Sequence, residues 1–248
     1  GVGGGIIIVP VLTFVFETMH FPPEISMQLT IGTSMAVVAI TSVVSARTHH
    51  TNGNVDLKSV KILLPAVLIG VIIGALAGAS ISRKILMGIV VAFELGVAFL
   101  FLYETTVQKK ITEKTTEENS FQGEALRKVP VIGTSSLIGA VSSVVGIAGG
   151  TLFVPFLNLC GMGMRRAIGT AAAMGIPIGT VAAIVYLITG LTSGKVLPEY
   201  SAGYIYLPAF IGCIIGGFWT TKHGANLAKK INIRGLKRAF AFVLLIAA

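Results

Sequence analysis

Gly1-Val2-Gly3-Gly4-Gly5-Ile6-Ile7-Ile8-Val9-Pro10 returns at 146–155 as Gly146-Ile147-Ala148-Gly149-Gly150-Thr151-Leu152-Phe153-Val154-Pro155, with five of the ten positions identical at an offset of 145. Each copy is followed by a second matched block, Ile31-Gly32-Thr33-Ser34-Met35-Ala36 and Ile168-Gly169-Thr170-Ala171-Ala172-Ala173. A third pair sets Pro65-Ala66 and Gly74 against Pro208-Ala209 and Gly217. The blocks keep their order while the offset drifts from 145 to 137 to 143, so the chain reads as a duplication with its insertions in the loops between blocks.

Composition says where those blocks lie. With 54% hydrophobic residues, 12% charged residues and a mean hydropathy of +0.87, the 248 residues carry more apolar surface than one water-soluble core can hide. Uncharged runs at 25–46, 62–82, 129–164, 167–194 and 200–221 each reach the roughly 20 residues needed to cross ~30 Å of hydrocarbon, and 85–103 carries only Glu94. The expected class is an all-α polytopic membrane protein with the lipid bilayer as its partner, because open sheets and irregular chain cannot satisfy their backbone in lipid. Residues 1–103 form one transmembrane repeat, 104–128 a polar linker and 129–248 the second repeat. Neither end reads as a natural terminus. The net charge of +9 sits in short clusters beside apolar spans instead of one surface stripe, which argues against nucleic acid. Cys160 and Cys213 stand alone in apolar runs and read as packing residues, and no metal or cofactor is expected.

The glycine segments decide the topology. Residues 129–164 are 36 uncharged residues, too many for one straight crossing, and are interrupted by Gly146, Gly149 and Gly150. A re-entrant hairpin fits, with one arm over 129–145, a glycine tip and a shorter arm over 151–160. If both glycine segments are re-entrant, each half has three crossings and the second half is inverted. Segments 47–61, 104–128, 165–166 and 222–238 then hold 16 of the 19 Lys and Arg on one side, the cytoplasmic one. If every segment crosses, the charges divide evenly and no side is marked. The inverted arrangement is expected. Pro177, whose counterpart is Ile40, predicts a kink in that helix only.

Broken helices at matching positions of inverted repeats mark the usual substrate site of a secondary transporter, near the midplane. Exit arms starting near Gly5 and Gly150 would present free N–H groups and the positive ends of their dipoles there, an anion site that needs no charged side chain. The residues expected to contact substrate are Gly3, Gly4, Gly5, Thr33, Ser34, Gly149, Gly150, Thr151 and Thr170. The bland alternative is that the glycines only let helices pack closely. Glu94, the one acid inside a span, could carry a coupling proton, pair as structure, or sit at a wet boundary. His49 and His50, at a span end, are surface residues or proton sensors.

Gly-Val-Gly-Gly-Gly to Pro10, then Ile31-Gly32-Thr33-Ser34, Gly53-Asn54-Val55-Asp56 and a repeated second half, resembles the sulfite exporter TauE/SafE family, also called toluene sulfonate uptake permeases. The resemblance covers nearly the whole chain. It implies a multi-pass transporter in a bacterial inner membrane that moves sulfite, sulfoacetate or other organosulfonates; a proton or sodium ion is the candidate coupling partner, and the sequence does not choose between them. Ala148 and Ala171 stand where the first copy has Gly3 and Ser34. An anion channel is the nearest alternative. An intramembrane enzyme is the remoter one, since HExxH and G-x-S-x-G are missing and all four His lie at span ends.

Overall fold

The computed structural model describes residues 5–107 and 129–217. Gly3 and Gly4, most of the 104–128 linker, the basic stretch 222–238 and the final span fall outside the described residues. The first half contains α1 (Gly5–Thr18), α2 (Pro23–Thr51), α3 (Leu57–Ser80) and α4 (Arg83–Val107). The second contains α5 (Val129–Val145), α6 (Gly150–Leu159), α7 (Met164–Thr192), a two-stranded hairpin of β1 (Ser201–Ala202) and β2 (Ile205–Tyr206), and α8 (Leu207–Gly217).

Local chemistry explains the boundaries. Pro23 opens α2, where its missing N–H costs nothing, and Gly53 at φ +70 turns the chain after it. Asp56 caps α3, its Oδ1 accepting the Lys58 N–H at 3.1 Å and its Oδ2 the Ser59 hydroxyl at 2.7 Å. Helices α2, α3 and α7 are long and apolar enough to cross a membrane. The span expected at 25–46 lengthens to Thr51, and the two arms and break expected at 129–160 appear as α5 and α6. Residues 201–206, read from sequence as the start of a span, instead form the β-hairpin. Gly203 at φ +55 turns it, and Tyr204 N–H is held by Tyr186 O at 3.2 Å. Helix α7 continues through Pro177 to Thr192.

Close contacts give each helix its direction. On α3, Gly70, Gly74 and Gly78 line one face, and a Cβ on them would overlap Ser136 O, Ala140 O and Tyr186 Oη in turn. Numbers on α3 and α5 rise together, so these helices are parallel, joined by the small-residue spacing that membrane helices use for backbone approach. On α7, Gly179 lies against Ala39 and Gly175 against Ser42, while Gly32 of α2 lies against Tyr186. Numbers therefore rise on one and fall on the other, and α2 and α7 are antiparallel. Gly169 at Asn54 and Tyr186 at Gly78 make α7 parallel to α3.

Helix α2 is the centre of the fold, buried at every position from Ile25 to Val38. The outer face of α3 exposes Ile69, Ile72, Ile73 and Leu76, a helical stripe with no polar residue, as a lipid-facing surface requires. Gly139 of α5 lies beside Val67, and α6 leads into the start of α7 near Asn54. Both outer ends of the α5–α6 unit thus lie toward the first turns of α3, and the break between them lies deeper, level with Ile31 and Ser34 of α2.

Candidate functional site

The break is built from glycine. Gly146, at φ +80, and Ile147 both donate to Ser142 O, at 3.0 and 3.1 Å, which closes α5 in the manner of a left-handed cap. The ladder of α6 starts with Leu152 and Phe153 donating to Gly149 O at 3.2 and 2.7 Å, so the N–H groups of Gly150 and Thr151 precede it. Gly149 packs tightly on its Cα side, where a Cβ would lie 2.7 Å from Ile178 Cδ1.

Helix α1 brings its N-terminus to the same place. A Cβ on Gly5 would sit 2.8 Å from Ile147 Cα and 3.1 Å from Ala148 N, and one on Gly146 2.9 Å from Val9 Cγ2. The starts of α1 and α6 therefore abut, and Gly5, Gly146, Gly149 and Gly150 are all buried. Ser34 ties α2 to the break by donating to Gly146 O at 2.7 Å. Thr151 Oγ1 is buried and makes no hydrogen bond. Thr30 and Ser142, absent from the sequence-based site, are fully buried with unbonded hydroxyls. Their signal was position: Thr30 is one turn from Ser34 on the same helix face, and Ser142 is one turn before Gly146.

Thr33 and Thr170 are placed differently. Thr33 Oγ1 accepts the Tyr206 N–H at 3.0 Å, and Thr170 Oγ1 accepts the Asp56 N–H at 3.0 Å. Beside each threonine a glycine receives the carbonyl of the same loop, since a Cβ on Gly32 would overlap Tyr204 O and one on Gly169 would overlap Asn54 O. Each loop begins with a glycine at positive φ, Gly203 or Gly53. The contact is reciprocal: the loop before α8 seats on α2, and the loop before α3 seats on α7. These two threonines hold loops, one step back from the break.

Glu94 lies on α4, which packs on α2 and α5; it is 3% exposed and its Oε1 makes no hydrogen bond. No group of three or more His, Cys, Asp or Glu able to hold a metal forms among the described residues. Cys160 and Cys213 are free and partly buried.

Long helices with apolar outer faces, packed around a central break where two helix N-termini meet, define a polytopic membrane protein of the kind that passes small solutes. The chain belongs to the sulfite exporter TauE/SafE family, which matches residues 1–248. It is 34% identical over 248 residues to a probable membrane transporter protein of Haemophilus influenzae, covering 100% of this chain and 89% of that one. It is 25% identical over 245 residues to a probable membrane transporter protein of Methanocaldococcus jannaschii, covering 98% and 85%. A probable membrane transporter protein of Bacillus subtilis is 23% identical over 235 residues, covering 94% and 86%. No solved structure matches the chain. Family and relatives alike indicate a membrane transporter.

Proposed function

We propose that this chain is a secondary transporter of small sulfur-containing anions, such as sulfite, sulfoacetate or other organosulfonates, in a bacterial inner membrane. The observation that carries the reading is the meeting of the α1 and α6 N-termini at Gly5 and Ile147–Thr151. The N–H groups of Gly150 and Thr151 precede the α6 ladder and the start of α1 lies against Ile147 and Ala148, so an anion held there would meet the positive dipole ends of both helices. Gly3, Gly4, Gly5, Gly149, Gly150 and Thr151 form the contact set, with Ser34 fixing the break and Thr33 and Thr170 positioning the loops. The antiparallel α2 and α7 and the reciprocal loop contacts support an inverted repeat. The α5–α6 unit is then re-entrant, and segments 47–61, 104–128, 165–166 and 222–238 face the cytoplasm.

The test is gradient-driven uptake of labelled sulfite into proteoliposomes. Saturable flux is expected; non-saturating flux would indicate a channel, and a chemically altered product an enzyme. Gly5→Ala and Gly149→Ala should separate the two helix starts and raise KM tenfold to a hundredfold, since a hydrogen bond to a charged group contributes about 1.5–3 kcal/mol. Thr151→Val should cost less. If Thr151→Val abolishes uptake while both alanines are tolerated, the site is built from hydroxyls and the helix-terminus argument is wrong. Glu94 is the carboxylate proposed to carry a coupling proton, and in the same vesicles Glu94→Gln should transport with a flattened pH profile. An unchanged profile would return Glu94 to a structural role.

A further inference from the structure

At the end of the molecule away from Asp56 and Arg166, a cavity of about 330 Å³ opens between the α1–α2 turn and the α3–α4 turn, lined by Glu17, His20, Phe21, Pro23, Ser26 and Arg83. Its size suits a small ligand. The α3–α4 turn is anchored to α2 by Gln28, whose amide donates to Ile81 O at 3.0 Å, so Arg83 has a fixed base. Its guanidinium is paired with Glu17, and both side chains are partly exposed, at 31% and 44%. A wet pair of this kind is weakly held and exchangeable. Segments 19–22, 81–84 and 193–200 contain only Arg83, Lys84 and Lys195 as Lys or Arg, so Arg83 is not part of a broad basic surface. It is a single fork-shaped cation in a pocket wall, the geometry that takes an oxyanion through two parallel N–H groups.

Glu17 is the penultimate residue of α1, and the other end of that helix is Gly5, at the meeting of the two N-termini. We infer that this cavity is an outer docking site in which a small oxyanion replaces Glu17 on Arg83. The exchange frees the end of α1 whose start lies at the central site. The inference rests on the anion-transport reading and adds to it a second site, reached first from the outer face.

The two partners should then have opposite effects. In vesicles of phosphatidylcholine with this face presented to sulfite, Glu17→Gln removes the competitor and should lower KM about threefold to tenfold, while Arg83→Gln should raise KM about tenfold and Arg83→Lys less. kcat should stay within about twofold. If the pair is only a structural latch, both changes shift the melting temperature and move KM and kcat in the same direction, which overturns the proposal; the amount of monodisperse protein and its melting are measured alongside. If the Arg83→Gln effect appears only when phosphatidylglycerol is added, the occupant is a lipid headgroup and the proposal again falls. Wild-type flux with KM unmoved by either variant sinks the docking site alone. Absence of both sulfite flux and calorimetric sulfite binding in the wild type sinks the transport reading as well.

Discussion

The two loop clamps use the same backbone device and close it with different side chains. At one end Gly169 and Thr170 hold the loop 53–56, and Asp56 of that loop meets Arg166, Oδ2 to Nη2 at 3.7 Å. At the other, Gly32 and Thr33 hold the loop 203–206, and Tyr206 packs edge-on against Phe16 and Phe21 with ring centroids 5.5 and 5.1 Å apart. The shared part is what a glycine and a hydroxyl can do for any chain: admit a carbonyl and accept an N–H. The differing part is an ion pair at one end and an aromatic cluster at the other. Under the proposed inverted repeat, duplication supplied the backbone device, and each end then acquired side chains suited to its own side of the membrane.

The comparison breaks most visibly at the glycines. A Cβ on Gly32 or Gly169 would overlap a backbone carbonyl, which cannot swing aside as a side chain can. Gly32→Ala and Gly169→Ala should each destabilise at or above the usual ~1–3 kcal/mol of an overpacked core, read as thermal unfolding in detergent. Similar losses would support equivalent clamps; tolerance at one site only would mean that one loop is loosely held. Gly74 faces Ala140 O in the same way and should behave alike. One layer out, Thr33→Val and Thr170→Val each remove the acceptor of a loop N–H and should cost about 1 kcal/mol, with Thr→Ser largely restoring it. A much larger loss of sulfite affinity than of stability would put those hydroxyls back in direct contact with the anion.

What the sequence could show follows from distance along the chain. The break at Gly146–Gly150 was legible because glycines interrupt a long uncharged run, and a span needs continuous helix. The turn after α2 has an equally local cause, Asn52-Gly53-Asn54 with Gly53 at φ +70. The β-hairpin at 201–206 was not legible, because Ala202-Gly203-Tyr204-Ile205-Tyr206 is as apolar as a span and its partners are Tyr186 O and Thr33 Oγ1, far away in sequence. Thr33 and Thr170 stood out through the repeat, but their bonds reach across 173 and 114 residues, and a motif cannot say whether its hydroxyl faces a ligand or a loop. Thr30 and Ser142 escaped because a hydroxyl inside an apolar helix reads as packing until its burial and lack of a partner are seen.

The smallest expected effect tests the unlike part of the comparison. Arg166 is 53% exposed and Asp56 12%, at a separation too long for a strong hydrogen bond, so the pair should contribute only ~0.2–1 kcal/mol. Arg166→Gln isolates it, because Asp56 keeps its bonds to Lys58 N–H and Ser59 and continues to cap α3. Raising salt from about 0.1 M to about 1 M shortens the screening length from ~10 Å to ~3 Å, so the wild-type advantage over Arg166→Gln should shrink toward zero. Replacing Tyr206 by leucine removes the aromatic contact at the other end, and that loss should persist at every salt concentration because apolar packing is not screened. If the Arg166→Gln deficit is instead independent of salt, the guanidinium acts through its packing on the 53–56 loop, and the two ends are closed by the same kind of force after all.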